Sequence, residues 1–163
     1  MKNSEVLQLN SKLNFYSKEL RNLKGAKFSY GLIKNTNILQ KECKDIMDIV
    51  AASDEYKAYD AKRIELCNKH AKKDDKGEIL KKNLRDDGTY DYDIDINDPK
   101  WIADIDQLKQ SNKAVIEEQD RKIEEYNKFL DKESIVEFFK MDLDDVPDEI
   151  SVELMATIET FIK

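Results

Sequence analysis

The stretch Asp86–Asp98, DDGTYDYDIDIND, carries acids at every second position over most of its length, and alternating oxygen ligands are the pattern of a calcium loop. Such a loop also needs glycine at its sixth position and glutamate at its twelfth. Counting from Asp91, those positions hold Ile96 and Ile102; counting from Asp93, they hold Asp98 and Asp104. Neither frame has the glycine of the sharp turn, so no metal and no cofactor is expected there.

The residues between the acids explain the spacing better. Tyr90, Tyr92, Ile94 and Ile96 alternate strictly and are good strand formers, so the stretch reads as a strand with one apolar face. The other face carries Asp91, Asp93 and Asp95, roughly 6–7 Å apart at the two-residue repeat of a strand. A row of that spacing can imitate a nucleic-acid backbone and enter a basic groove, as on a nuclease. It can equally be a solvated face that keeps an open sheet edge from pairing with other chains. A second cluster, Asp142, Asp144, Asp145, Asp148 and Glu149, contains no basic residue; it reads either as a solvated loop with helix-start charges or as a surface that meets a basic partner. Asp91, Asp93, Asp95, Asp142, Asp144 and Asp145 are therefore the candidate partner-binding residues.

Nucleophilic or acid–base chemistry finds little to work with. His70 is the only histidine, set among Lys69, Lys72 and Lys73, with no obvious carboxylate within a turn to orient it, though Asp74 and Asp75 are near in sequence. Cys67 lies three residues before it, but no oxyanion element accompanies the pair. No glycine-rich phosphate loop exists. No catalytic residue is assigned, and the chain is expected not to be an enzyme.

The elements that must hold these residues follow from apolar spacing. Val6, Leu9, Leu13, Tyr16, Leu20 and Leu23 recur at three and four residues, predicting a helix over about 4–24 with Gly25 as its cap. A helical arm over about 27–73 follows Phe28, Leu32, Leu39, Cys43 and Ile46, then Tyr56, Tyr59 and Leu66; Ser53 marks either a kink or a new N-cap. A β-hairpin is expected over about 78–97, with EILKKNL as the partner strand and DDG as the turn. Asp98-Pro99 opens a second arm over about 99–131, interrupted by Asn112 and Gln119. SIVEFFKM is β-branched and aromatic and reads as a strand over about 134–141; Ser151 caps a last helix over about 151–162. The sum is one mostly helical α+β domain: a long antiparallel helical hairpin, a small β-hairpin between its arms, and a C-terminal strand and short helix.

Composition bounds the rest. The 163 residues are 39% charged and 40% apolar with four glycines and two prolines, the mix of long solvated helices. A net charge of −7 argues against direct nucleic-acid binding, which needs clustered Lys and Arg. No apolar run is long enough to span a membrane, MKNSEVLQLN lacks a signal-peptide core, and the two cysteines show no metal-ligand spacing, so a cytoplasmic protein is expected.

The segments RIELCNKHAKKDDKG (Arg63–Gly77) and LDDVPDEIS (Leu143–Ser151), in this order of elements, resemble an uncharacterised family of small proteins of tailed phages and prophages. The resemblance implies a phage origin and a bacterial host cytoplasm. The helix–hairpin–helix plan is similar in shape to prefoldin-like chaperones and to Gam-type inhibitors of host nucleases. The function expected is therefore binding to a bacterial or phage protein with a basic surface, modulating a defence system or nuclease. The alternative is a virion, scaffold or assembly-chaperone protein that self-associates as a homo-oligomer through its helices.

Overall fold

The computed structural model describes all 163 residues. It is 63% helical, with seven α-helices and one two-stranded antiparallel sheet, an α+β protein dominated by helix. The chain forms two compact units, Met1–Ala51 with Lys122–Lys163, and Ala52–Arg121.

In the first unit, α1 (Asn3–Phe15) buries the seam its spacing predicts, Val6, Leu9 and Leu13, against α3 (Ala26–Asp48) and α7 (Val152–Ile158). The single helix expected over 4–24 is two. At Tyr16 the backbone leaves helical geometry, and α2 (Ser17–Asn22) follows. Tyr16 N–H still donates to Lys12 C=O and its C=O accepts from Leu20 N–H, so the residue that ends α1 also begins α2. Gly25, expected to close that helix, instead opens α3 with φ of 144°.

α3 buries Phe28, Leu39, Cys43 and Ile46, as its spacing predicts. Between Phe28 and Leu39 the buried positions are Gly31 and Asn35, which carry no apolar side chain. The segment 139–141 crosses the helix there. Asn35 Nδ2 donates to Phe139 C=O at 2.9 Å, and its Oδ1 accepts from Phe139 N–H at 2.8 Å. A Cβ on Gly31 would fall inside the contact radius of Met141 Sδ and Cγ.

That crossing segment is the strand expected over 134–141, and it forms no ladder. It runs without turn or bend between two isolated bridges, Lys2 with Glu133 and Met141 with Ile162. Strand propensity makes a segment extended; a ladder also needs a neighbouring strand, and here most neighbours are helices. After a turn of 3₁₀ helix at Leu143–Asp145, Ser151 caps α7 as expected, its Oγ accepting from Leu154 N–H at 3.2 Å. The last helix stops at Ile158 and tightens to 3₁₀ over Glu159–Phe161.

The second unit begins at a true helix break. Ile49–Ser53 is not helical, and Ser53 Oγ accepts from Tyr56 N–H at 3.1 Å to start α4 (Asp54–His70). The continuous arm expected over 27–73 is thus α3 and α4. α4 packs on α5 (Pro99–Ser111), which Asp98 caps through Lys100 N–H. Between them stands the hairpin, β1 (Lys81–Lys82) paired with β2 (Asp91–Tyr92) and prolonged by bridges Ala71–Ile94 and Lys73–Ile79. The helical hairpin with a β-hairpin between its arms is therefore the plan of this unit. The arm expected over 99–131 breaks at Asn112, whose side chain turns back to Leu108 C=O at 2.8 Å, and α6 (Lys113–Leu130) follows.

Candidate functional site

The hairpin acids are not a free row. Asp91 is held by Arg85 at 2.9 Å and by Asn83 at 2.8 Å. Asp93 takes Lys82 at 2.8 Å and Lys72 at 3.3 Å, and its side chain is only 15% exposed. Asp95 is exposed and spends one oxygen on Asn97 N–H in the turn before α5. The bond from Asn83 to Asp91, with Arg85 beside it, holds that carboxyl below the usual aspartate range; Lys82, then Lys72, does the same for Asp93. Both stay ionised, but their charge is answered within the hairpin. The apolar face is as expected at Tyr90 and Tyr92, whose rings meet edge-on at 5.3 Å. Ile96 departs from it, lying exposed in the turn.

The acidic turn divides. Asp142 pairs with Lys163 at 3.0 Å, and Asp145, 19% exposed, pairs with Lys27 at 3.1 Å. Asp144 and Asp148 are exposed and enter no ion pair. They border a groove of about 440 Å³ whose apolar lining is Leu143, Val146, Ile150 and Met155. Leu143 is 58% exposed. A groove that mixes apolar side chains with uncompensated carboxylates suits a segment that carries both apolar and cationic side chains.

His70 has an orienting carboxylate after all, from another helix. Its Nε2 lies 2.8 Å from Asp104 Oδ2, and its ring sits 5.5 Å from that of Trp101. Lys69 reaches the same oxygen at 2.6 Å, and these contacts, that of Lys69 first, lower the Asp104 pKa. Asp104 is 34 residues from His70, so no local spacing reveals it. The readable signal was that Asp104 adjoins Ile105 on the buried seam of α5, which must face α4. Burial pushes the thiols of Cys67 and Cys43 up, opposite to what a nucleophile needs. No cluster of histidine, cysteine or carboxylates could hold a metal ion, and no helix is long and apolar enough to cross a membrane.

No family model, curated protein or solved structure matches this chain.

Of the residues singled out by sequence, then, Asp144 keeps an uncommitted charge beside an apolar surface. Asp91, Asp93, Asp142 and Asp145 are tied to cations of the chain, and Asp95 stands at a turn without an apolar groove of its own.

Proposed function

We propose that this protein acts by binding another protein, and that the groove between the Leu143–Asp145 turn and α7 receives a basic amphipathic segment of it. The observation that carries this reading is Asp144 and Asp148, exposed and outside any ion pair, lining one groove with Leu143, Val146, Ile150 and Met155. Apolar burial would supply most of the affinity, and the carboxylates orientation and rate of encounter. With the resemblance to small tailed-phage proteins, the partner we favour is a bacterial defence protein or nuclease whose basic surface is occupied and thereby blocked. The protein itself carries out no reaction in this reading.

The test is capture from a bacterial host at low salt, release at high salt, and comparison with an Asp144→Asn/Asp148→Asn variant. At 1 M salt the screening length falls to about 3 Å, so exposed charges lose most of their reach. The expected result is a defence protein or nuclease held by the unaltered chain, and at least roughly tenfold less of it on the variant. Equal capture by both would overturn the groove assignment.

Self-assembly is the second reading, and it draws on Ile64 of α4 and Ile102 of α5, both exposed on helices. Light scattering separates the two: an oligomer that persists at high salt favours assembly, because apolar burial is not screened.

A further inference from the structure

We infer that Ser134–Lys140 is an open strand edge that takes up one extended segment of a partner protein, antiparallel, with a lysine or arginine opposite Glu137. This rests on the reading of the chain as a protein binder, but not on the groove at Leu143.

The segment already has strand geometry. Burial alternates along it, with Ser134, Val136 and Phe138 half-buried and Ile135, Glu137 and Phe139 exposed, the period of two of an extended chain. Both backbone groups of Phe139 point to Asn35, as they must when N–H and C=O of one residue share an edge. Those of Phe138 and Lys140 then face the opposite way, and neither residue makes a backbone hydrogen bond. A groove of about 400 Å³ runs beside the segment, lined by Met1, Ser134, Val136, Glu137, Phe138 and Lys140, and Lys140 Nζ donates to Thr160 C=O at its wall at 2.6 Å.

The chain shows what fits this edge by filling its beginning. Asn3 N–H donates to Lys132 C=O at 3.0 Å and Ser134 N–H to Met1 C=O at 2.8 Å, an antiparallel pairing that stops at Ser134. An incoming strand continues that pairing to Phe138 and Lys140, whose backbone groups have no partner in the chain, past Val136, whose N–H already donates to Ser134 Oγ at 3.2 Å. On the exposed face it meets Ile135, 95% exposed, then Glu137, then Phe139. Glu137 enters no ion pair, unlike Glu133, which holds the Met1 ammonium at 2.8 Å. Apolar, basic, apolar at alternate positions is the complementary pattern. A second copy paired symmetrically about Glu137 would set two carboxylates opposite one another, which disfavours that occupant.

The probe is the heptapeptide Thr-Val-Thr-Lys-Thr-Val-Thr, acetylated and amidated, titrated into the full chain. Amide NMR should show Phe138 and Lys140 shifting and gaining exchange protection. The same peptide N-methylated at the two threonines beside its lysine keeps its side chains but loses donors, and should bind at least about tenfold more weakly. Glu137→Lys, an exposed change that leaves the fold intact, should reverse the preference toward the peptide with glutamate in place of lysine.

Equal binding of the N-methylated peptide, or shifts confined to the acidic turn, overturns the proposal as mere charge attraction. Phe138 and Lys140 amides already protected in a dimer overturn it in favour of a second copy. A failed titration leaves salt-sensitive capture through Asp144 and Asp148 standing, and lost capture leaves the titration standing, so the two readings fail separately.

Discussion

The side chain of Asn35 is wholly buried and clasps both backbone groups of Phe139 along one edge, donating to its C=O at 2.9 Å and accepting from its N–H at 2.8 Å. One amide thus replaces a neighbouring strand for that residue, and it fixes where the last quarter of the chain crosses α3. Replacing Asn35 by alanine leaves both backbone groups of Phe139 without their partner and opens a void. We predict a loss of about 2–4 kcal/mol, read as a fall in the urea midpoint with little change in slope.

Gly31 marks the same crossing. In an exposed helix, alanine in place of glycine stabilises by about 1 kcal/mol. Here the added methyl meets Met141, itself 2% exposed, so Gly31→Ala should instead destabilise by about 1–3 kcal/mol. Combined with Met141→Ala, the two losses should sum to less than their separate values, because the second change removes the clash created by the first.

The ion pairs of the hairpin and of α5 set an acid limit. Asp93 and Asp104 titrate below the ordinary value of 3.8 because Lys82 and Lys69, respectively, are their strongest partners. A carboxylate whose pKa is depressed on folding stabilises the fold above its unfolded value, and that stability is lost as pH falls through the folded one. Stability should therefore be level near neutrality and decline below about pH 4. The Asp93→Asn/Asp104→Asn variant should be less stable than the parent at pH 7 and show a shallower decline, the two curves converging in acid. Urea midpoints taken across that range check the sign; parallel curves would refute it.

Both thiols are buried, and burial raises the pKa of each, with Glu42 adding to the effect at Cys43. Native Cys43 and Cys67 should react with a disulfide reagent at least roughly tenfold more slowly than in the urea-unfolded chain. Fast native reaction at Cys67 would contradict its placement.

The caps make a local test. Ser53 and Ser151 each accept one hydrogen bond from the first turn of their helices, and Ser151 N–H also donates to Glu19 at 3.0 Å. Alanine at either site should cost about 1 kcal/mol. Calorimetry on the single variants measures each.

Local chemistry is legible in the order of residues alone. The spacing of Val6, Leu9 and Leu13 marks the buried side of α1, Ser53, Asp98 and Ser151 are readable caps, and Tyr90 and Tyr92 identify the strand after the DDG turn. Each of these depends on residues within a turn or two, and propensity, capping and periodicity act at that range. Tertiary structure alone decided what lies farther apart. Gly31 and Asn35 look like gaps in a helical seam until a segment more than 100 residues on is laid across them. His70 lacks a carboxylate until α5 brings Asp104 to it. The acids of the hairpin read as one free row, yet Lys72, Lys82 and Arg85 answer Asp91 and Asp93, while Asp144 keeps its charge. A strand-forming sequence specified that residues 134–140 be extended; whether a ladder formed depended on which element folding set beside them. Pairing, burial and charge compensation are contacts between distant segments, and a one-dimensional pattern does not carry them.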